Sequence, residues 1–392
     1  MAARSAARAC TPAAYGAAAP GPRRSLFEAF SAAGLIREIL LPPKTPRSCP
    51  PQAASIHTSA RTETTVDADA DTASMTTQPP LFLSREALRL GSDRELRHRR
   101  ASGSLTRIGV GVYVDTERFA ALSRDEQYRT RVRAAALRSD PASQFSHDSA
   151  AALWRLPSIG PWPRVAHQLR PTSVGGTSRV DIRHHAIGLD PDARAVDGIL
   201  VSSLSRTVID MAASTPFVRS VAMADHALRL GCTTEDLERA IRLRESSFGI
   251  SRARSVAEFA SELAASPGES LSRVQFLALG YPTPELQVSF CDEQGFAGDV
   301  DFYFRDLDLI VEFDGRSKYG PDREFQTGLS LEQILLKEKD REDRLRRLVR
   351  SFARIIWALA SDRRALANHL RPHGLIEKGR SRKLFREPFS AV

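Results

Sequence analysis

Gly298-Asp299-Val300-Asp301-Phe302-Tyr303-Phe304 and Leu309-Ile310-Val311-Glu312-Phe313-Asp314-Gly315, separated by Arg305-Asp306-Leu307-Asp308, decide the reading of the C-terminal part of this chain. Two apolar-rich runs flank a polar break, the pattern of a β-hairpin. An even loop centred between Asp306 and Leu307 sets Asp301 opposite Glu312 and Asp299 opposite Asp314. Side chains alternate along a strand, so all four carboxylates share one face, while Val300, Phe302, Val311 and Phe313 share the other and pack on a core. An odd loop would send Glu312 to the opposite side. Asp is a poor strand former, and like charges placed opposite one another destabilise a sheet. Such a cluster persists most easily when a cation compensates it. Hard carboxylate oxygens with open water positions suit Mg2+ or Mn2+, and such an ion activates water and stabilises charge on a phosphate under attack. The plainer alternative is a half-exposed hairpin whose acids face water.

Outward from the hairpin, Ser266-Pro267-Gly268-Glu269-Ser270-Leu271-Ser272-Arg273 opens a helix with Val274, Phe276 and Leu277 as apolar contacts. Glu269 either projects toward the carboxylates or only complements the helix dipole. Leu286 to Phe290 reads as a strand, from which Gln287 either enters the site or hydrogen-bonds along an edge. Leu331 to Leu348 reads as a long helix carrying Lys337, Lys339, Arg341, Arg344, Arg346 and Arg347 among acids. That pattern usually marks a solvated face laced with i,i+4 pairs; phosphate contacts are the alternative. Ile355 to Leu359 reads as a buried strand.

Helix, hairpin and acidic pair together resemble the PD-(D/E)XK nuclease superfamily, especially the bacterial domain family related to the very-short-patch repair endonuclease, over roughly residues 262–375. Members show an Asp at the start of one strand and Glu-x-Asp-Gly at the end of the next, here Asp301 and Glu312-Phe313-Asp314-Gly315. An Asp-x-x-Arg element follows the hairpin in that family, to which Asp340-Arg341-Glu342-Asp343-Arg344 corresponds. The resemblance implies Mg2+ (or Mn2+) held by Asp301 and Glu312 with help from Glu269, Asp314 near the reacting group, and hydrolysis of DNA phosphodiester bonds. One departure stands out. The superfamily's lysine, two residues after the Glu, is Asp314 here; Lys318 or Lys339 is left to supply that charge, and a catalytically dead fold is the other outcome.

The front of the chain carries a second pattern. From Leu81 the sequence becomes helical: Ser84 caps a helix through Ala87, Leu88 and Leu90, with Gly91 as its stop. Ser92-Asp93-Arg94-Glu95 has capping-box spacing, and the helix it opens carries Arg94, Arg97, His98, Arg99 and Arg100 before Ser102-Gly103. Leu105 to Ile108 and Val112 to Val114 read as short strands around Gly109 and Gly111. Helix, tight turn, basic helix and β-wing is the layout of a winged helix-turn-helix, in which Arg94, Arg97, Arg100 and Arg107 supply phosphate contacts. A merely solvated basic helix end is the alternative. Through Arg107-Ile108-Gly109-Val110-Gly111-Val112-Tyr113 the segment resembles the N-terminal domain of AbiEi-type antitoxins from abortive-infection systems.

Residues 125–265 mix helical and strand-like stretches. Ser146-His147-Asp148-Ser149-Ala150-Ala151-Ala152-Leu153-Trp154 reads as a capped helix, Val165 to Leu169 and Val180 to His184 as strands, and Leu204 to Ala213 as a helix. The Ser-Ala-Ala and Arg206-Thr207-Val208-Ile209-Asp210 elements recur in this order in AbiEi-like antitoxins, extending that resemblance to roughly residues 81–240. Arg206 and Asp210 are expected to form a helix-surface ion pair. His184 and His185 would face opposite sides of a strand, which argues against a two-histidine metal site, and His147 has no nucleophile nearby. No chemistry is assigned here.

A chain of 392 residues exceeds one ordinary core, and 42% hydrophobic with 26% charged residues is a globular mixture. No apolar run is long enough to span a membrane. Lys and Arg outnumber Asp and Glu by 56 to 47, a net +9 that suits a polyanionic partner. The cysteines Cys10, Cys49, Cys232 and Cys291 lack metal-ligand spacing, and the pattern fits a reducing, cytoplasmic setting. Residues 1–74, rich in Ala, Pro, Ser, Thr and Arg, read as a disordered leader or as a segment upstream of a start at Met75, with a transit peptide as the alternative.

The whole is expected to be an α/β and α+β multidomain bacterial protein: winged helix-turn-helix (81–116), AbiEi-like α/β middle domain (125–260), restriction-endonuclease-like α/β domain (262–375) and basic tail (376–392). Double-stranded DNA is the expected partner, with no membrane association. The competing expectation is a noncatalytic DNA-binding regulator or antitoxin, with an unidentified toxin as its partner.

Overall fold

The computed structural model describes residues 78–173, 180–244, 248–315 and 330–378. The leader, Lys318 and most of the basic tail lie outside the described residues. The described residues form a mixed helix-and-sheet structure, and no helix among them is long and apolar enough to cross a membrane.

At the front, β1 (Leu81–Leu83) precedes helices Ser84–Arg89 and Asp93–Ala101, then β2 (Leu105–Gly109) and β3 (Val112–Asp115). The three strands form an antiparallel sheet in the order β1-β3-β2. Leu81–Leu83 is thus a strand rather than the start of a helix; pairing Leu83 with Val112 covers the open edge of β3 and buries Leu83. Gly91 (φ +70°) ends the first helix and Gly111 (φ +69°) makes the turn into β3, both in the left-handed region that glycine adopts freely. The expected capping box is absent. Ser92 has φ −98° and ψ 13°, outside the extended region of a capping residue, and its hydroxyl donates to the Ala87 carbonyl instead. Leu96, Leu105 and Tyr113 pack on one side of the sheet. On the other, Ile108, Val112 and Val114 pack with Phe119 and with Ala134 of the helix Arg124–Ala136.

Next come the helix His147–Leu153, the parallel pair β4 (Ala166–Leu169) and β5 (Ile182–His185), and the hairpin β6 (Arg194–Val196) and β7 (Ile199–Val201). Helices Leu204–Ser214, Phe217–Arg229, Thr234–Arg242 and Ile250–Phe259 follow. The Arg206–Asp210 pair forms, but in the interior rather than on the surface. Asp210 is fully buried, accepts from Arg206 Nε at 2.9 Å, and pairs with Arg244 Nη1 at 2.8 Å. Burial pushes the Asp210 carboxyl up, and the two guanidiniums oppose that shift.

The last part opens with the helix Pro267–Leu279, capped by Ser266, whose hydroxyl accepts from the Glu269 amide at 3.2 Å. It continues with β8 (Glu285–Asp292), β9 (Gly295–Phe304), β10 (Leu309–Asp314), the long helix Leu331–Leu348, β11 (Ser351–Ile356) and helices Trp357–Ser361 and Arg363–Leu370. The sheet runs β11-β10-β9-β8, with β10 and β11 parallel and the other pairs antiparallel. The strand expected at Ile355–Leu359 begins earlier, at Ser351, and the chain turns helical at Trp357.

Alternation divides this sheet into two faces. Phe302, Phe304, Leu309, Val311, Phe313, Ala353 and Ile355 join a core with Leu271, Val274 and Phe276 that continues into Val208, Val221 and Met223 of the preceding helices. The opposite face, with Phe290, Tyr303, Ile310 and Phe352, is covered by Leu345 of the long helix. Val300 departs from the expected pattern and joins this second cluster. Gln287 of β8, with φ +50°, interrupts the ladder just before pairing resumes at Val288↔Val300.

Arg344 anchors the long helix by donating from Nε and Nη2 to the two oxygens of Asp292, at 2.7 and 2.6 Å. These hydrogen bonds hold the Asp292 carboxyl down at about 2, from an ordinary 3.8. A depressed folded-state value means the contribution is present above the ordinary value and is lost as pH falls through the folded one. Asp292→Asn is therefore expected to be less stable than wild type in urea at neutral pH, with the gap closing as pH falls toward 2. A gap independent of pH would show that the ion pair is not its source.

Candidate functional site

The hairpin register places the carboxylates. Leu309↔Phe304, Ile310↔Tyr303 and Val311↔Phe302 pair across a 3-10 turn at Arg305–Leu307, the even loop that sets Asp301 against Glu312. The backbone ladder ends one pair short of them. Asp301 fills the gap with its side chain, Oδ2 accepting from the Phe313 amide at 2.7 Å. The strand ends are thus held by a carboxylate where a main-chain bond was expected.

Glu312 is 4% exposed although its side chain is ionisable. Burial pushes its carboxyl up; Arg341 opposes that, and Asp301 adds to it by like-charge repulsion. Arg341 Nη2 donates to Glu312 Oε1 at 2.8 Å, and Arg354 Nη2 lies 3.5 Å from Oε2. Arg354 is the cross-strand partner of Glu312 on β11 and also reaches Asp314 (3.7 Å), Glu338 (3.5 Å) and Glu342 (2.8 Å). Arg341 comes from the long helix and lies across Gly298. A Cβ there would meet the Arg341 side chain at 3.0–3.3 Å, and Arg341 Nη1 donates to the Asp299 carbonyl at 3.2 Å.

Asp299, expected in the cluster, is exposed and bonds Ser289 Oγ. Glu269 is buried at the start of its helix. Its Oε1 accepts from Ser266 Oγ at 2.8 Å, and its Oε2 from the Ala265 amide at 2.8 Å and from Gln287 Nε2 at 3.2 Å. The helix-start role weighed for Glu269 is seen here, and Gln287 of β8 is its further partner. Lys339 is exposed on the long helix, and Lys318 lies outside the described residues. Among the described residues, the cations beside Glu312 are arginines. Arg341 sits in the element singled out in sequence. Arg354 was missed; an arginine alternating with Phe352 and Ile356 in a strand-like run was its only trace. Of the other cations on that helix, Arg344 and Arg346 pair with Asp292 and Glu342.

Asp301 and Glu312 thus stand together, with Asp314 joined through Arg354, on one side of the sheet. Their oxygens are hard donors of the kind that holds Mg2+ or Mn2+, and the like-charge strain between Asp301 and Glu312 is what a bound dication would relieve.

At the front, Arg94, Arg97 and Arg100 of the helix Asp93–Ala101 and Arg107 of β2 are all exposed. Leu96 is the buried anchor that turns Arg94 and Arg97 outward. Arg97 pairs with Asp93 at 2.7 Å, Arg100 stacks over the Tyr113 ring at 4.9 Å, and Arg107 Nε donates to the Gly109 carbonyl at 3.1 Å.

No protein-family profile matches this chain. Two uncharacterized proteins of Mycobacterium tuberculosis, MT2308 from strain CDC 1551 and Rv2248 from strain H37Rv, are each 32% identical to it over 120 residues. The match covers 30% of this chain and 44% of each relative, so less than half of either relative is spanned.

Gly268 shows how tightly the site is backed. A Cβ there would sit 2.0 Å from the Phe313 ring, between Glu312 and Asp314 in sequence. Gly268→Ala is therefore expected to displace the Phe313 ring and destabilise the protein by about 1–3 kcal/mol, the usual cost of overpacking. Denaturant unfolding measures it; an unchanged midpoint would mean the helix start and β10 are free to separate.

Proposed function

We propose that this chain binds double-stranded DNA and hydrolyses its phosphodiester bonds at the Asp301–Glu312 site with Mg2+ or Mn2+. The observation that carries the reading is the pairing register, which brings two carboxylates together on a sheet where like charge is costly. It supports a C-terminal restriction-endonuclease-like fold of the PD-(D/E)XK kind, resembling the very-short-patch repair family, behind a winged helix-turn-helix resembling AbiEi antitoxins. A divalent ion at the site supplies water activation and neutralises charge on the phosphate. Asp301 and Glu312 would hold it. Asp301 is fixed for that role by the Phe313 amide, and Glu312 by Arg341. Among the described residues, Arg341 and Arg354 would steady a phosphate oxygen, the task the superfamily assigns to the lysine whose position Asp314 takes. Gln287 and Glu269 brace the far side.

A second reading, a noncatalytic DNA-binding regulator of a toxin–antitoxin pair, is favoured by one observation. Arg341 and Arg354 already compensate Glu312 within the chain.

Plasmid incubated with the full chain and Mg2+ or Mn2+ is expected to be nicked. Loss of a metal ligand removes several kcal/mol of charge stabilisation, so Asp301→Ala should cut at least about 100-fold more slowly. Absence of nicking with every divalent ion, with duplex binding retained, would replace the nuclease reading by the regulator. For the front sheet, Arg97→Ala combined with Arg100→Ala is expected to weaken duplex binding and lower the log–log salt slope by roughly 2. Unchanged affinity and slope would remove the arginine helix as the DNA contact.

A further inference from the structure

Three histidines far apart in sequence meet away from the carboxylate site. His147 opens the helix His147–Leu153, His167 lies in the middle of β4, and His185 ends β5. Parallel pairing sets His167 beside Arg183 and Leu169 beside His185. Paired residues share a face and alternate residues return to it, so His167 and His185 point the same way. His184 takes the other face, against Arg170. The helix start is sewn over that face: the Ser146 amide donates to the His167 carbonyl at 3.0 Å, and the His167 amide to Ser149 Oγ at 2.8 Å. His147 holds φ +48°, unusual for a residue with a side chain and of the kind kept where the surroundings require it.

One ring nitrogen from each histidine lies within 4.8 Å of the others. His185 Nε2 and His167 Nδ1 are 3.2 Å apart. Two nitrogens bound tetrahedrally to one ion at about 2.1 Å would be about 3.4 Å apart. His167 Nε2 is buried without a hydrogen-bond partner and is open to a ligand, while Asp148 Oδ2 stands 3.8 Å from His167 Nδ1, so binding through Nε2 leaves Nδ1 facing a carboxylate.

We infer that His147, His167 and His185 form a binding site for a zinc-class transition-metal ion, which ties the helix His147–Leu153 to the β4–β5 pair. Three imidazole nitrogens select such an ion over Mg2+, which prefers oxygen. Burial holds all three imidazoles below their ordinary range, so they are neutral and keep a lone pair at neutral pH. Of the nearby guanidiniums, Arg219 pairs with Asp148, and Arg206 and Arg244 with Asp210, while exposed Arg183, beside His167 in the ladder, also disfavours positive charge on His167 and His185. The His147 and His185 rings stack at 3.7 Å. Parallel rings cannot both aim in-plane lone pairs at one ion, so binding turns one of them out of the stack.

The test uses the untagged full chain, stripped with chelator, loaded with Zn2+ and desalted. One equivalent of zinc by elemental analysis is expected to remain on wild type and on Asp301→Ala, and to be lost from His185→Gln, with folding followed by circular dichroism. Because a histidine variant can unfold, wild type loaded with one equivalent of Cu2+ supplies a second readout, in which pulsed electron paramagnetic resonance should count three imidazole nitrogens on the copper. Zinc absent from wild type, zinc retained by a folded His185→Gln, or fewer than two imidazoles on copper would each overturn the site.

Discussion

Keeping the Glu312 carboxylate out of water is the constraint around which the C-terminal sheet is arranged. An ion taken into a protein interior costs several kcal/mol, returned only when partners are placed to meet it. Those partners come from two elements remote in sequence. Arg354 is delivered by β11, which must run parallel beside β10, and Arg341 by the long helix, which must lie across Gly298. Bonding of Arg344 to Asp292 pins that helix one turn further along. Even so, burial outweighs the guanidiniums and the carboxyl stays raised. A group held at that disadvantage accepts further positive charge readily.

Asp301 solves a different problem. The β9–β10 ladder stops at Val311↔Phe302, and the next amide, that of Phe313, would lack a partner. The Asp301 carboxylate takes it, which closes the β9–β10 ladder and fixes the acid in place. Opposite, Gln287 leaves the β8 ladder in a left-handed conformation and turns its amide to Glu269. The notch at the strand ends is thus a place where side-chain hydrogen bonds take over from backbone ones, and side chains bonded in this way are held in position before any ligand arrives.

The chain gathers polar groups at a second buried centre of different character. Asp301 bonds the Phe313 amide of β10, beside Glu312, whereas imidazole nitrogens cluster between β4, β5 and the helix above them. Near the histidines, Asp148 and Asp210 absorb the arginine charge, and Asp210 is buried completely. The front sheet is the opposite case. Arg94, Arg97 and Arg100 of the helix Asp93–Ala101 and Arg107 of β2 stand on the surface.

Local patterning determined a good deal. The alternation and the polar break around Arg305–Asp308 marked the hairpin but left its loop parity open; the 3-10 turn at Arg305–Leu307 decided the even register that sets Asp301 against Glu312. Gly91 and Gly111 marked turns as well. Leu81–Leu83 was misread because an edge strand of three residues borrows its identity from its partner β3, and the Ser92 cap failed because its backbone angles answer to the turn before it. Arg354 beside Glu312, the burial of the Arg206–Asp210 pair and the union of His147, His167 and His185 belong to the tertiary structure alone. Each depends on a parallel pairing or a helix docking that joins residues many positions apart, and the energy deciding such contacts comes from burial, which no window of neighbouring residues contains.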